Sequence, residues 1–107
     1  SQFDIFTLTS RADGLPVALL EAMACERACI ATRCGGPEAV ITDGVDGYLV
    51  DVGDVEAIAK RMDALAASPR QRQALGFAAR QKVMTQFSTD IQDAGYNLLY
   101  HQLCKLT

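Results

Sequence analysis

The chain lacks long hydrophobic runs and clustered positive charge. No apolar run approaches the roughly 18 residues of a membrane span, so no membrane-spanning segment is expected. No segment gathers Lys and Arg beside aromatic residues, which argues against a nucleic-acid-binding module. The 13 acidic and 10 basic residues leave a net charge of −3, and 50% of the residues are hydrophobic. That balance excludes a disordered charged tail and predicts one folded domain within the 107 residues.

A metal-binding or redox pattern of cysteines is also missing. The first three cysteines, Cys25, Cys29 and Cys34, are spaced as C-x3-C and C-x4-C, which matches neither a zinc ribbon nor a C-x-x-C pair. Cys104 shares a predicted helical turn with His101, and two ligands do not make a closed zinc site. No metal or other cofactor is therefore expected. The cysteines are expected to be reduced thiols in a cytoplasmic protein.

The first half of the chain alternates short apolar runs with glycine-rich turns. β-Branched and aromatic residues predict strands at 3–9, 28–32 and 48–50. Between them, a nearly all-apolar helix is predicted from Val17 to about Cys25, and a short helical turn from 37 to 41. This alternation predicts parallel strands joined by right-handed crossovers.

The second half reads as helical. Asp54 is a predicted N-cap, and it precedes apolar residues at 3.6-residue spacing: Val55, Ile58, Ala59, Met62, Leu65 and Ala66. Ser68 and Gln71 predict a second helix that begins with a capping box, and Ser88 or Thr89 predicts a last helix. The expected fold class is α/β: a three-stranded parallel half of a Rossmann-like sheet, flanked by helices, with a helical C-terminal region.

One segment indicates ligand binding. Asp13, Gly14, Leu15 and Pro16 lie between the first predicted strand and the first predicted helix, where open α/β sheets bind ligands. Backbone N–H groups and the helix dipole at this place favour an anion such as phosphate. Glu21 is the one charged residue of the apolar helix, and an ionised carboxylate can accept hydrogen bonds from two vicinal sugar hydroxyls. The alternative is a solvated helix charge for Glu21 and a turn-forming Asp-Gly for Asp13.

Together these residues resemble a known family. Residues 10–24, S-x-x-D-G-L-P-x-x-L-x-E-A-M-A, are similar to the donor-site signature of retaining GT-B glycosyltransferases of family 4. The similarity continues through G-G-P-E at 35–38 and D-G-x-x-G-Y-L-V at 43–50. It extends in the same order to Gly53-Asp54, Ser68-Pro69 and Phe87-Ser88, so it spans nearly the whole chain.

The resemblance implies roles for the acidic residues and the donor loop. Glu21 would bind the ribose hydroxyls of the nucleotide, and Asp13, the candidate catalytic residue, would lie beside the donor sugar. The Gly14 and Leu15 amides would face the diphosphate and sugar, in the substrate-binding loop that ends at Pro16. Asp13 departs from the commoner Glu of the family and is one methylene shorter, so its charge is kept and its reach is reduced.

The loop at Gly35 and Gly36 is the last candidate part of the substrate site. The resemblance implies that this loop borders the same cleft. A tight turn before a helix, with no ligand contact, is an equally good interpretation of the two glycines.

At the level of the whole chain, the resemblance implies that residues 1–107 are the second half of a C-terminal, donor-binding domain. The enzyme would be a retaining, hexosyltransferase-like glycosyltransferase of polysaccharide biosynthesis. It would use a nucleotide-diphosphate sugar and a glycan, lipid-linked sugar or small-molecule acceptor. The family's N-terminal domain and its Arg and Lys pair at the diphosphate have no counterpart in these residues, so this segment alone is expected to be inactive.

Two further expectations accompany this interpretation. The first strand would have one unpaired edge, which predicts self-association. The parent enzyme is expected in the cytoplasm, with peripheral attachment to the inner face of the membrane left open. The alternative function is a non-catalytic or other Rossmann-like nucleotide-binding or interaction module. Another Rossmann nucleotide-binding protein is disfavoured because no G-x-G-x-x-G follows a strand. An interaction module of the response-regulator type is disfavoured because the chain has neither clustered acids at the end of the first strand nor a Lys at a later one.

Overall fold

A computed structural model of the chain describes residues 5–8, 17–87 and 89. The elements are β1 Ile5–Leu8, α1 Val17–Ala24, β2 Ala28–Thr32, a 3₁₀ turn Pro37–Ala39, β3 Tyr48–Val50, α2 Val55–Ala67 and α3 Pro69–Gln86. The strands form one parallel sheet in the order β1-β2-β3. The α/β class and the parallel three-stranded sheet are confirmed, and β2 and β3 have the predicted bounds. The predicted last helix lies outside the described residues apart from Thr89.

Helices cover both faces of the sheet. β2 is buried along its whole length, and its successive side chains join two different hydrophobic clusters, as the two-residue period of a strand requires. Cys29 and Ala31 pack with α1 and the C-terminal half of α3, whereas Ala28 and Ile30 pack with α2 and the start of α3. β2 is thus the centre of the core, and its carboxyl end emerges between two helical layers.

Helix α1 supplies the largest buried side chains of the first cluster. Leu19, Leu20 and Met23 each have 0% of their surface exposed. Full burial of such a side chain contributes about 1.5–3 kcal/mol. This packing fixes the helix that carries Glu21 against the sheet.

Helix α2 differs from its predicted apolar stripe. Val55 is 74% exposed and Met62 41% exposed, and Leu65 is the buried residue of the helix. Ala57 and Ile58 are partly buried against the second cluster. The helix packs on the sheet through this narrower face, and the Arg61 guanidinium lies 4.1 Å from the centroid of the Tyr48 ring.

The predicted N-caps of α2 and α3 are confirmed, but the reciprocal bond of the predicted capping box is not. The Asp54 carboxylate accepts a hydrogen bond from the Ala57 N–H at 3.0 Å, and the Ser68 hydroxyl accepts one from the Gln71 N–H at 3.2 Å. The capping box is wrong, because the Gln71 side chain donates to the Tyr48 hydroxyl while the Ser68 N–H donates to the Leu65 carbonyl. The Gln71 amide therefore bonds to the Tyr48 side chain on β3 instead of to the helix end.

The expectation of reduced cysteines is wrong for Cys25, which is disulfide-bonded. Neither Cys29 nor Cys34 forms a disulfide bond. Burial raises the pKa of the Cys29 thiol to about 12, so it remains protonated at neutral pH and serves as a core residue.

Two features are absent from the part of the chain that the structure describes. In that part of the chain no helix is both long and apolar enough to cross a membrane. No group of three or more His, Cys, Asp or Glu side chains suited to a metal ion occurs within it either.

Candidate functional site

The candidate site lies at the carboxyl ends of the parallel strands. β2 ends at Thr32 and β3 at Val50, and these two residues are partners in the register. The Arg33 N–H donates to the Val50 carbonyl at 2.8 Å, which carries the pairing one residue past the end of β2. The loops that follow both strands therefore begin at the same edge of the sheet, the edge at which α/β folds bind ligands.

Arg33 is held on the β3 side of this edge. One guanidinium nitrogen lies 3.3 Å from a carboxylate oxygen of Asp51, and the other lies 3.4 Å from a carboxylate oxygen of Asp43. The second oxygen of Asp43 accepts a hydrogen bond from the Leu49 N–H at 2.9 Å. The positive charge is thus matched by two carboxylates, and it does not replace the Arg and Lys pair expected at a diphosphate.

The loop after β2 has a defined shape at Gly35 and Gly36. Gly35 has a φ of 110°, a value that favours glycine, and its N–H donates to the Glu38 carboxylate at 2.9 Å. Gly36 is buried, and its carbonyl accepts from the Ala39 N–H at 3.0 Å. Pro37 begins the 3₁₀ turn that follows. The predicted tight turn is present, and the contribution of Glu38 to it is not evident from the residue pattern.

Glu21 lies in the second turn of α1, and its side chain is partly exposed. Its backbone carbonyl accepts from the Cys25 N–H at 3.1 Å. Within residues 17–87, no hydrogen bond or ion pair reaches its carboxylate. Desolvation raises the pKa of this carboxyl, because a helix face packed with apolar side chains disfavours the charged form. Such a carboxylate has all its acceptor positions available for a ligand.

Four of the predicted site residues, Asp13, Gly14, Leu15 and Pro16, lie outside the described residues. Their predicted roles stay predictions. Of the remaining predicted site residues, Gly35 and Gly36 lie in the loop after β2, and Glu21 lies on a helix that packs against β1 and β2.

A buried ion pair supports the loop between the 3₁₀ turn and β3. Lys82 Nζ lies 2.6 Å from Asp46 Oδ2, and the Asp46 side chain is 3% exposed. The same ammonium group donates to the Val40 carbonyl and to the Thr42 hydroxyl, each at 2.8 Å. The other Asp46 oxygen accepts from the Thr42 N–H at 2.7 Å. α3 therefore fixes the segment that connects the Gly35–Gly36 loop to β3.

Comparisons with known sequences agree with this architecture. Residues 1–82 match the family model described as Glycosyl transferases group 1. The chain is 34% identical over 102 residues to N-acetyl-alpha-D-glucosaminyl L-malate synthase of Bacillus anthracis, which covers 95% of this chain and 27% of that protein. It is 37% identical over 84 residues to the GDP-mannose-dependent alpha-(1-6)-phosphatidylinositol monomannoside mannosyltransferase of Mycolicibacterium smegmatis, covering 72% of this chain and 22% of that protein.

Solved structures show the same fold. The C-terminal domain of the glycosyl transferase group 1 family protein LpcC from Francisella tularensis superimposes with a TM-score of 0.73 at 32% identity, covering 78% of this chain and 43% of that one. Sucrose-phosphate synthase from Thermosynechococcus elongatus gives a TM-score of 0.77 at 26% identity, covering 96% of this chain and 26% of that one. These 107 residues span about a quarter of the length of the two sequence relatives. The chain belongs to the glycosyl transferases group 1 family.

Proposed function

We propose that this chain supplies part of the donor site of a retaining glycosyltransferase, which moves a hexose-like sugar from a nucleotide-diphosphate sugar to an acceptor. Membership of the glycosyl transferases group 1 family supports sugar transfer. One relative is named a GDP-mannose-dependent mannosyltransferase, which supports the donor class. Another relative is named a capsular polysaccharide biosynthesis glycosyltransferase, CapM of Staphylococcus aureus, which supports polysaccharide biosynthesis as the setting. The proposed location of the enzyme is the cytoplasm.

The observation that carries the proposal is the carboxylate of Glu21, which no hydrogen bond or ion pair reaches within residues 17–87. The helix around it is apolar and packed, so an uncompensated charge there is unfavourable unless a ligand or water solvates it. The two hydroxyls of a ribose would each donate to this carboxylate, and hydrogen bonds to a charged acceptor are stronger than neutral ones. In this role Glu21 holds the nucleotide in place, and groups nearer the sugar carry out the chemistry.

The donor loop completes the proposed site. Asp13 is proposed to stand beside the donor sugar as the catalytic carboxylate. The amides of Gly14 and Leu15 are proposed to face the diphosphate, with Pro16 at the start of α1. Donors aimed at the leaving diphosphate stabilise the charge that develops as the sugar departs.

The chain is proposed to be the second half of a C-terminal domain, whose partner is the N-terminal domain of the same enzyme. One structural relative is described as the C-terminal domain of its protein, which supports this position. A diphosphate leaving group carries two to three negative charges, and the basic pair that would neutralise it is absent from residues 1–107. Residues 1–107 alone are therefore expected to show no turnover.

The proposal is tested with Glu21→Gln in the full-length polypeptide that contains these residues. The ribonucleotide that binds most tightly is first chosen from UDP, GDP and ADP by titration calorimetry. Loss of the charge-assisted bonds, about 1.5–3 kcal/mol, predicts affinity lower by about ten- to a hundredfold. The 2′,3′-dideoxy form of the same nucleotide should bind the wild type and Glu21→Gln almost equally. Glu56→Gln, an exposed acid in the first turn of α2, is the matched control.

Stability separates a ribose role from a structural one. Because the folded-state pKa of Glu21 is raised above 4.5, the stability its protonated form contributes is present at low pH and is lost as pH rises above 4.5. Glu21→Gln should therefore be as stable as the wild type at acidic pH and slightly more stable at neutral pH, by urea unfolding. A variant that unfolds, or that keeps the wild-type affinity for the ribonucleotide, contradicts the proposed role.

A further inference from the structure

The loop that follows β2 is held by hydrogen bonds from a succession of backbone N–H groups. Arg33 donates to the Val50 carbonyl at 2.8 Å and Cys34 to the Thr32 carbonyl at 2.9 Å. Farther along, the Ala39 N–H donates to the Gly36 carbonyl at 3.0 Å. Gly35 differs, because its N–H donates to a side chain, the carboxylate of Glu38, at 2.9 Å.

Gly35 is the position at which this loop depends most on a specific contact. With a φ of 110° and no Cβ, its backbone is not confined by side-chain sterics. A hydrogen bond from its N–H therefore selects one backbone conformation among several accessible ones. The Glu38 carboxylate, three residues farther along the chain, accepts this bond. The bond closes a small ring that contains Gly36 and Pro37.

The far end of the same segment is fixed independently of Glu38. Val40 is 1% exposed and belongs to the core cluster, and its carbonyl accepts from Lys82 Nζ at 2.8 Å. The 3₁₀ turn that carries Glu38 is therefore tied to α3 and to the core. The hydrogen bond of Glu38 connects Gly35 to this fixed segment. Gly35 lies at the edge of the sheet where the donor is proposed to bind.

We propose that Glu38 is a positioning residue of the donor site, whose carboxylate holds the Gly35 N–H and thereby gives the Gly35–Gly36 loop the shape that the donor nucleotide meets. This inference rests on the proposed function. Glu38 is exposed and carries a negative charge at an edge proposed to receive a diphosphate. A charge there opposes anion binding, so the contribution of Glu38 to binding is its hydrogen bond.

Two substitutions separate the hydrogen bond from the charge. Glu38→Gln and Glu38→Ala remove the same charge, but only the glutamine keeps an oxygen that can accept from the Gly35 N–H. The difference in nucleotide affinity between the two variants therefore reports the hydrogen bond. Glu56→Ala, which removes an exposed acid from α2, controls for the change in net charge.

The experiment uses the full-length polypeptide that contains these residues and the nucleoside diphosphate, chosen from UDP, GDP, ADP and dTDP, that binds the wild type most tightly. Titration calorimetry should give an affinity for Glu38→Ala that is about three- to tenfold weaker than for Glu38→Gln, the range of one net hydrogen bond. Glu38→Gln should equal or exceed the wild type, and Glu56→Ala should match it. Hydrogen–deuterium exchange of the Gly35 amide should be faster in Glu38→Ala than in Glu38→Gln.

The remaining outcomes overturn the inference in distinct ways. Equal affinities for Glu38→Ala and Glu38→Gln, with faster Gly35 exchange in the alanine variant, show that Glu38 shapes the loop without affecting the ligand. Tighter binding by Glu38→Ala than by Glu38→Gln shows that the side chain competes with the ligand for the Gly35 N–H. If none of the four nucleotides binds the wild type, the proposed function itself fails, and the role of Glu38 fails with it.

Discussion

At the scale of single residues, Gly76 determines how closely α3 approaches the turn between α1 and β2. A Cβ at this position would lie 2.1 Å from the Glu26 carbonyl oxygen, a backbone atom. Glu26 has a φ of 61°, and its carboxylate lies 3.7 Å from the Arg80 side chain of the same α3 helix. Arg80 also donates to the Ala24 carbonyl at the end of α1. Glycine is thus required here by a close backbone approach within a helix.

The substitution Gly76→Ala is expected to destabilise the chain by about 1–3 kcal/mol in urea unfolding, because α3 must move away from Glu26. The expected loss of stability is informative, since alanine normally stabilises a helix relative to glycine by about 1 kcal/mol. The exposed neighbour Ala74 provides the control, and Ala74→Gly should destabilise by about that amount. A Gly76→Ala variant more stable than the wild type would contradict the close approach.

The sequence identifies Glu21 but not Glu38 as a residue of interest. A single charge within an apolar helix is visible in the sequence, and its raised pKa follows from the same apolar surroundings. The hydrogen bond of Glu38 to Gly35 depends on the turn at Gly36 and Pro37, which the residue types permit without specifying. Arg33 is likewise held by Asp43 and Asp51, residues 10 and 18 positions away, so this contact requires the tertiary fold.

At the scale of elements, the buried pair of Asp46 and Lys82 joins the loop before β3 to α3. The two side chains are 3% and 17% exposed, so little solvent screens the charges. Removing one member of such a pair leaves the other charge buried without compensation. The Thr42 N–H would still donate to Asp46, so part of the compensation survives the loss of Lys82.

Lys82→Met is therefore expected to destabilise the chain by about 3 kcal/mol in urea unfolding. The double variant Asp46→Asn/Lys82→Met should be more stable than Lys82→Met, since no buried charge remains. Lys60→Met, at an exposed position of α2, should change stability by less than about 0.5 kcal/mol. If Lys82→Met behaves like Lys60→Met, the pair does not stabilise the loop.

The elements themselves follow closely from the sequence, and their packed faces less so. β-Branched residues and turn signals are local properties, so β2 and β3 have the predicted bounds. The apolar spacing of α2 predicts burial of Val55 and Met62, which are exposed. The spacing of apolar residues predicts that they share one face of the helix. How much of that face is buried depends on its packing against the sheet. The contact of the Arg61 guanidinium with the Tyr48 ring is likewise not predicted by the apolar spacing.

At the scale of the whole molecule, the two edges of the sheet differ. Along β3 the Leu49 N–H is satisfied by Asp43, and the charged group of Arg33, Asp43 and Asp51 lies beside it. Charged residues and satisfied amides protect an edge strand from pairing with another chain. Within the described sheet β1 pairs only with β2, and its sequence, Ile5–Leu8, is apolar apart from Thr7. Among the described residues, the edge without such protection is therefore β1.

Residues 1–107 alone are expected to self-associate through β1, because an apolar strand edge is a template for pairing with a second copy. Sedimentation velocity over a tenfold concentration range should show a sedimentation coefficient that rises with concentration. Thr7→Lys places a charge on this edge and should lower the association, whereas Thr85→Lys, at an exposed position of α3, should not. A monomer at every concentration contradicts the prediction. Equal association of the two lysine variants would assign the contact to another surface, such as the one around Phe77, which is 58% exposed.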